Sequence, residues 1–193
     1  MALENGEKSE ERSGPTGKYK VVLMLRVMAI LATAAATIVM ALNKQTKTFV
    51  VATIGTTPIS ATLAAKFHHT PAFVFFVVAN GMATVHNLVM LVVEIFAPKL
   101  DYKGLRLAII AILDMMTVGL ISGGVNAAVF MAELGKNGNS HARWNKICDK
   151  FDSFCDRGGA SIIASFIGLL FMLLITTFSI IKLLKPISHH NLP

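Results

Sequence analysis

Two oppositely charged residues, Asp114 and Arg26, lie inside long apolar stretches of this 193-residue chain. Asp114 is in the middle of RLAIIAILDMMTVGLISGG (106–124), and Arg26 is in VVLMLRVMAIL (21–31). An acidic residue at the centre of a membrane helix costs about 2.5 to 3.5 kcal/mol, and the usual remedy is a partner of opposite charge. The planar guanidinium of arginine can hold a carboxylate through two hydrogen bonds. The sequence therefore predicts an intramembrane ion pair between Arg26 and Asp114.

Glu94 is a second candidate partner for Arg26. It lies near the end of another apolar stretch, where it could also contact Lys99 or extend to the lipid headgroups. The Arg26–Asp114 contact is favoured, and a three-way cluster that includes Glu94 is an alternative. Such a group of charges either fixes the register of a helix bundle or belongs to a proton or ion pathway. The structural role is favoured because the other polar residues near mid-span are few: Asn80, His86, Asn87 and Asn126.

The composition indicates a membrane protein. The chain is 54% hydrophobic and 15% charged, with a mean hydropathy of +0.62, and soluble domains of this size rarely reach such values. The formal net charge is +7, and most basic residues lie between the apolar stretches, which favours contact with anionic lipid headgroups. No stripe of interleaved basic and aromatic residues is present, so no nucleic-acid partner is expected.

Four apolar segments have the roughly 20 residues needed to cross about 30 Å of hydrocarbon. Proline residues at 71, 98 and 186 mark their boundaries. The predicted fold class is an all-α membrane protein, a four-transmembrane-helix bundle with cytoplasmic termini that occupies residues 21–185. The predicted spans are residues 21–42, 72–96, 105–131 and 160–184.

The two ends of the chain are predicted to be cytoplasmic tails, residues 1–20 being polar, charged and disordered and residues 186–193 being short. An even number of spans places both ends on one side of the membrane. Lys and Arg are denser in the short connections on the tail side, which favours the cytoplasm under the positive-inside rule. We expect the first span to serve as an uncleaved membrane anchor.

The segment Thr48–Phe67 is moderately apolar but is interrupted by Gly55 and Pro58. Its threonine and serine content argues against a membrane span. It is interpreted as an ordered outer loop with a short strand and a helical turn after Pro58, with a partly re-entrant segment as the alternative.

The two cysteines, Cys148 and Cys155, both lie in the loop between the third and fourth spans. In an oxidising compartment, this pair would form a disulfide that closes a small loop. The alternative is two free thiols. A zinc site is less favoured because His141 alone does not complete a tetrahedral ligand set, and no cofactor or metal is expected.

The third span contains a GxxxG motif, Gly119 to Gly123, followed by Gly124. Small residues at this spacing allow helix backbones to approach closely within a membrane. The motif predicts helix packing, either within one protomer or between protomers.

These features resemble the plant Casparian strip membrane domain protein-like (CASP-like) family, related to MARVEL-domain proteins, and in particular its first subgroup. The similarity rests on the four spans, on Arg26 and Asp114, on HTPAFVFFVVANGMATVHNLVML (69–91) and on WNKICDKFDSFCDR (144–157). It covers nearly the whole chain from residue 18 to residue 185. The stretch that distinguishes the founding members in their first outer loop is not found in residues 48–67.

The resemblance implies a plasma-membrane scaffold that forms homo- or hetero-oligomers with related CASP-like proteins and contacts membrane lipids. It also implies recruitment of secreted cell-wall enzymes, with Arg26 and Asp114 at the family's charged positions and Cys148 and Cys155 as its loop pair. The alternative function is a small-solute or ion channel or transporter that uses the intramembrane charges. Because no P-loop, GxSxG or HExxH motif is present, the chain is not expected to be an enzyme.

Overall fold

Four long helices dominate the computed structural model, which describes residues 15–96 and 105–184. They are α1 (Pro15–Ala41), α2 (Pro71–Phe96), α3 (Leu105–Asn137) and α4 (Asp152–Leu184). All four are long and apolar enough to cross a membrane. The predicted class, a four-span helical membrane protein, is confirmed.

The helix ends differ from the predicted spans. Helix α1 begins at Pro15, so the predicted disordered tail of residues 1–20 is too long; proline is well suited to a first helical turn because its N–H is not needed there. Helices α3 and α4 each have 33 residues and are about 50 Å long, which exceeds the roughly 30 Å of hydrocarbon. The facing ends of the two helices carry charged residues, including Lys136 on α3 and Asp152 on α4, so these ends are the parts that extend beyond the hydrocarbon. The predicted tail at residues 186–193 lies outside the described residues.

A β-hairpin connects α1 to α2. Strand β1 (Lys44–Ile54) pairs antiparallel with strand β2 (Thr57–Lys66), and a short helical turn, Phe67–His69, leads into α2. The two strands are joined by a two-residue turn in which Gly55 has a φ of +62°, a conformation that suits glycine at the first central position of a hairpin turn. The pairing register shifts between Val50 and Ala52.

The expectation of one short strand with a helical turn after Pro58 is wrong, since Pro58 lies inside β2 and the helical turn comes at Phe67–His69. The pairing of the strands also argues against the re-entrant alternative. Within the described residues the two strands pair only with each other, and the unpaired backbone groups at their edges could not be satisfied in hydrocarbon.

The four helices pack as a square. Helix α1 packs along α2 and α4, and α3 packs along the same two helices, so α1 and α3 occupy opposite corners. Small residues permit the close crossings: a Cβ on Gly168 of α4 would lie 2.8 Å from Thr33 Cγ2 of α1. The bundle interior holds apolar clusters around Phe76 and around Met172, together with an unusual number of buried polar side chains.

Candidate functional site: a buried charge cluster

The guanidinium of Arg26 is the centre of a polar cluster that links three helices. Its Nη1 donates to Asp114 Oδ1 at 3.1 Å and its Nη2 donates to Asp114 Oδ2 at 2.9 Å, which is the two-point geometry expected of arginine and a carboxylate. Its Nε donates to Glu94 Oε1 at 2.8 Å. The side chains of Arg26 and Asp114 have no exposed surface, and that of Glu94 is 15% exposed.

His86 completes the cluster from α2. Its Nε2 lies 2.7 Å from Asp114 Oδ1, so the aspartate contacts both a guanidinium and an imidazole. Asn87 is the next residue on α2, and its Oδ1 accepts a hydrogen bond from Arg26 Nη1 at 3.4 Å. Its Nδ2 donates to the backbone oxygen of Ala83. The cluster therefore has one member on α1, one on α3 and three on α2.

Helical spacing explains why α2 supplies so many of these groups. Asn80, Ala83, Asn87 and Met90 follow one another at intervals of three or four residues and are buried, and Glu94 is the next position on the same face. Residues at this spacing share one side of a helix. One side of α2 is thus polar at several levels although the helix as a whole is strongly apolar.

A second polar layer lies further toward the hairpin end of the bundle. Ser165 Oγ of α4 donates to Asn80 Oδ1 at 2.8 Å, and Thr84 Oγ1 of α2 donates to Thr33 Oγ1 of α1 at 2.9 Å. Because hydrogen bonds between helices compensate the burial of polar groups in lipid, this layer ties α1, α2 and α4 together. Because the polar groups in the charge cluster and in this second layer bond to one another, the bundle can bury many hydrophilic side chains.

The base of the hairpin is attached to the start of α4. Gln45 Oε1 accepts a hydrogen bond from Phe154 N at 2.8 Å, and Gln45 Nε2 and Lys47 Nζ both donate to Asp152 Oδ1. A side-chain acceptor for a backbone N–H in the first turn satisfies a group that the helix itself leaves unpaired. The Lys47 ammonium, followed by the Gln45 amide, holds the pKa of Asp152 below its ordinary value.

The two cysteines are joined in this same region. Cys148 and Cys155 form a disulfide across seven residues of sequence. The backbone N–H groups of Ile147 and Cys148 both donate to Gly135 O near the end of α3. The disulfide and these hydrogen bonds fix the 138–151 loop between the ends of α3 and α4.

The three predicted packing glycines have different environments. A Cβ on Gly124 would lie 2.9 Å from Ala79 Cβ, so this glycine serves the α2–α3 crossing within one protomer. A Cβ on Gly123 would touch the ring of Phe75 at 3.6 Å, whereas a Cβ on Gly119 would meet no described atom within 4 Å. The predicted GxxxG pair therefore lies on the exposed side of α3, with Gly123 at the margin of the α2–α3 contact and Gly119 outside it.

The structure brings Arg26, Asp114 and Glu94 into one cluster, the three-way arrangement that the sequence left as an alternative. The sequence predicted His86 and Asn87 only as polar residues near mid-span, with no role in the cluster. Asn87 lies seven residues, about two helical turns, from both Asn80 and Glu94, and this shared helix face was a usable signal. No local sequence pattern indicated the contacts of Gln45 and Lys47. These contacts join a hairpin to a helix more than 100 residues away, so they depend on the overall fold.

Comparison with known proteins agrees with this architecture. Residues 16–171 match the family model of the Casparian strip membrane protein domain. The chain belongs to this family. It is 69% identical over 190 residues to CASP-like protein 1B2 of Populus trichocarpa, covering 96% of each chain. It is 71% identical over 193 residues to CASP-like protein 1B1 of Ricinus communis, covering 97% of this chain and 95% of the relative.

A third relative is CASP-like protein 1B2 of Arabidopsis thaliana, which is 61% identical over 178 residues and matches 92% of this chain and 90% of its own length. No solved structure matches the chain. The family resemblance inferred from the sequence is thus confirmed, and the protein is a multi-pass CASP-like membrane protein with four apolar helices.

Proposed function

We propose that this CASP-like protein is an oligomeric scaffold of the plasma membrane. Its copies assemble with one another and with related CASP-like chains, hold a stable patch of membrane and recruit secreted cell-wall enzymes through the hairpin end of the bundle. Both termini lie in the cytoplasm. The role is structural and requires no cofactor.

The observation that carries the proposal is the complete burial of the Arg26–Asp114 ion pair. The two terminal nitrogens of Arg26 are engaged by Asp114, and neither side chain has exposed surface. A permeation pathway requires charged groups that face water or a passing ion. Opposite charges that pair between helices instead hold those helices at fixed positions, which suits a scaffold.

The outer side of α3 supports lateral assembly. Gly119, Gly123 and Asn126 are exposed there, at intervals of three or four residues. Asn126 Nδ2 donates to Ser122 O at 2.8 Å, and within residues 15–96 and 105–184 no donor reaches its Oδ1. An amide oxygen that faces lipid gains from a hydrogen bond to a neighbouring helix, and glycines let that helix approach closely. A second copy of α3 meets both requirements.

The disulfide supports the proposed membrane orientation. Disulfides persist in oxidising compartments and are rare in the cytosol, so Cys148–Cys155 favours an extracellular position for the hairpin end. The density of Lys and Arg in the short connections on the opposite side agrees with this orientation. The extracellular end then presents the 138–151 loop to secreted partners.

The assembly is tested by counting copies in phosphatidylcholine nanodiscs with Gly119→Ile and with Gly159→Ile as the matched control. Each change adds the same side chain at a helical glycine whose added Cβ would meet no described atom within 4 Å. We expect Gly119→Ile to reduce the number of copies per particle and Gly159→Ile to leave it unchanged. Equal copy numbers in both variants and in the wild type would exclude α3 as the contact.

The scaffold role itself is tested by mobility in plant plasma membranes. A fluorescent fusion of the wild type should recover slowly after photobleaching and stay confined to patches, and Gly119→Ile should recover faster. Solute or proton flux through proteoliposomes that disappears in Asp114→Asn would instead favour the transport function, for which the contact of His86 with Asp114 is the supporting observation.

A further inference from the structure

The outer half of the hairpin is exposed on every side. Residues 50–60 are all exposed, and they include the large apolar side chains of Val50, Val51, Ile54 and Ile59. Val50 is 61% exposed and Ile54 is 71% exposed. A two-stranded hairpin alone is at best marginally stable in water, and a contiguous exposed apolar patch indicates a binding surface.

The intramolecular contacts of the hairpin stop before this outer half. Phe49 packs edge-on against Phe151 with ring centroids 5.9 Å apart, and the hydrogen bonds from Gln45 and Lys47 lie closer to the base. Beyond Phe49, the described structure leaves both faces and both strand edges uncovered. Open strand edges are templates for pairing with another chain.

The distribution of charge narrows the choice of partner. The hairpin carries three lysines, Lys44, Lys47 and Lys66, all near its base, and Lys44 lies directly opposite Lys66 in the strand register. Residues 50–60 carry no charged side chain. A strongly acidic or basic partner finds no complementary charge on the outer half, whereas an identical hairpin meets it without repulsion between like charges.

A contact between the hairpins of two copies would add a second self-contact to the one proposed at α3. The hairpin starts three residues after the end of α1, and the described side-chain hydrogen bonds of its base go to α4. A contact between two α3 helices uses the same patch on both copies and closes as a dimer. A scaffold that extends further needs a second self-contact elsewhere, and residues 50–60 of the hairpin offer an exposed surface separate from that of α3.

We propose that the outer half of the hairpin, residues 50–60, binds the same segment of a second copy and links α3-paired dimers into an extended array. This inference rests on the proposed scaffold function and names the surface that extends it. The apolar side chains and open edges of two hairpins cover one another outside the membrane.

Cross-linking of the full-length protein in phosphatidylcholine liposomes tests the contact. The two native cysteines are joined in a disulfide, so Thr56→Cys at the hairpin tip provides a unique thiol. Ser140→Cys, exposed in the other loop, is the matched control. We expect copper phenanthroline with oxygen to oxidise two Thr56→Cys thiols to an intermolecular disulfide, and to give no dimer with Ser140→Cys. A tip thiol that reacts with maleimide but yields no dimer overturns the proposal.

A charge test separates this inference from the proposed function. The double variant Val51→Lys, Ile54→Lys places charge on the outer half, and Thr46→Lys adds charge at the already basic base. The double variant should reduce the wild-type assembly to two copies, and Thr46→Lys should not. A wild type of only two copies, or larger assemblies that persist in the double variant, overturns the hairpin contact alone. A single-copy wild type overturns the proposed scaffold function.

Discussion

Arg26 and Asp114 join the two helices that stand at opposite corners of the bundle. Their paired hydrogen bonds of 3.1 and 2.9 Å connect α1 with α3 across the centre, while the long packing surfaces run between neighbouring helices. The ion pair therefore connects two helices that do not pack along each other. On α2, Glu94 contacts Arg26 and His86 contacts Asp114, so α2 is connected to both members of the pair.

Asp114→Ala should destabilise the bundle strongly, because it leaves a buried guanidinium without its two-point partner. Removing one member of a buried ion pair costs about 3 to 5 kcal/mol. The measurement is the yield of folded protein and its thermal midpoint in detergent. Asp156→Ala, which removes an exposed carboxylate at the start of α4, is the control and should behave as the wild type.

Exchanging the two charges should restore little stability by itself. In Arg26→Asp, Asp114→Arg, the new carboxylate on α1 would lie beside Glu94, whose Oε1 is 2.8 Å from Arg26 Nε. Adding Glu94→Gln removes that repulsion, so the triple variant should be more stable than the double variant. A double variant as stable as the triple would show that Glu94 does not interact with position 26.

The membrane helices and the ion pair could be predicted because their signals are local and strong. A span needs a long apolar run, and a charge within that run is costly enough to demand a partner. Choosing between Asp114 and Glu94 was harder, because both carboxylates can lie within reach of a long arginine side chain. In the structure, both carboxylates accept hydrogen bonds from Arg26.

The hairpin was only partly predicted because its sequence carries conflicting signals. Pro58 suggested a break in the strand, but proline is tolerated in an edge strand, where no partner needs its N–H. Gly55 between two apolar and threonine-rich runs was the better guide, since glycine with positive φ suits a two-residue turn. The attachment of Gln45 to Phe154 joins residues 109 positions apart, which no local pattern reveals.

Gly124→Ala should destabilise the folded protomer, whereas Gly119→Ala should not. The added methyl group at position 124 would lie 2.9 Å from Ala79 Cβ and 3.4 Å from Phe76 Cα, so α2 and α3 must separate. Overpacking of this kind typically costs about 1 to 3 kcal/mol. Thermal midpoints measured on dilute protein in detergent test the difference, and similar losses in both variants would contradict the assignment of Gly124 to the α2–α3 crossing.

Loss of the disulfide should loosen the 138–151 loop. Closing a loop of this size stabilises by roughly 2 to 3 kcal/mol in the chain-entropy model. In Cys148→Ser, Cys155→Ser, we expect faster amide exchange at Ile147, which donates to Gly135 O at 2.8 Å, with unchanged exchange near Asp114. Unchanged exchange at Ile147 would show that the hydrogen bonds to α3 hold the loop without the covalent link.

The attachment of the hairpin to α4 should weaken in acid. Asp152 is exposed and lies at the first residue of α4, eight residues before the predicted span. The Lys47 ammonium holds its pKa below the ordinary value of 3.8. A carboxylate with a lowered pKa in the folded state contributes stability above its unfolded pKa and loses that contribution as the pH falls through the folded value.

Amide exchange at Phe154, whose N–H donates to Gln45 Oε1, should therefore quicken relative to the intrinsic rate as the pH falls below about 4. Asp152→Asn removes the titrating group, so its exchange at Phe154 should be faster than in the wild type at neutral pH and should lack this additional acid response. Gln45→Ala is the complementary change, because it removes the acceptor while keeping the Lys47–Asp152 ion pair. An acid response that persists undiminished in Asp152→Asn would assign it to a different carboxylate.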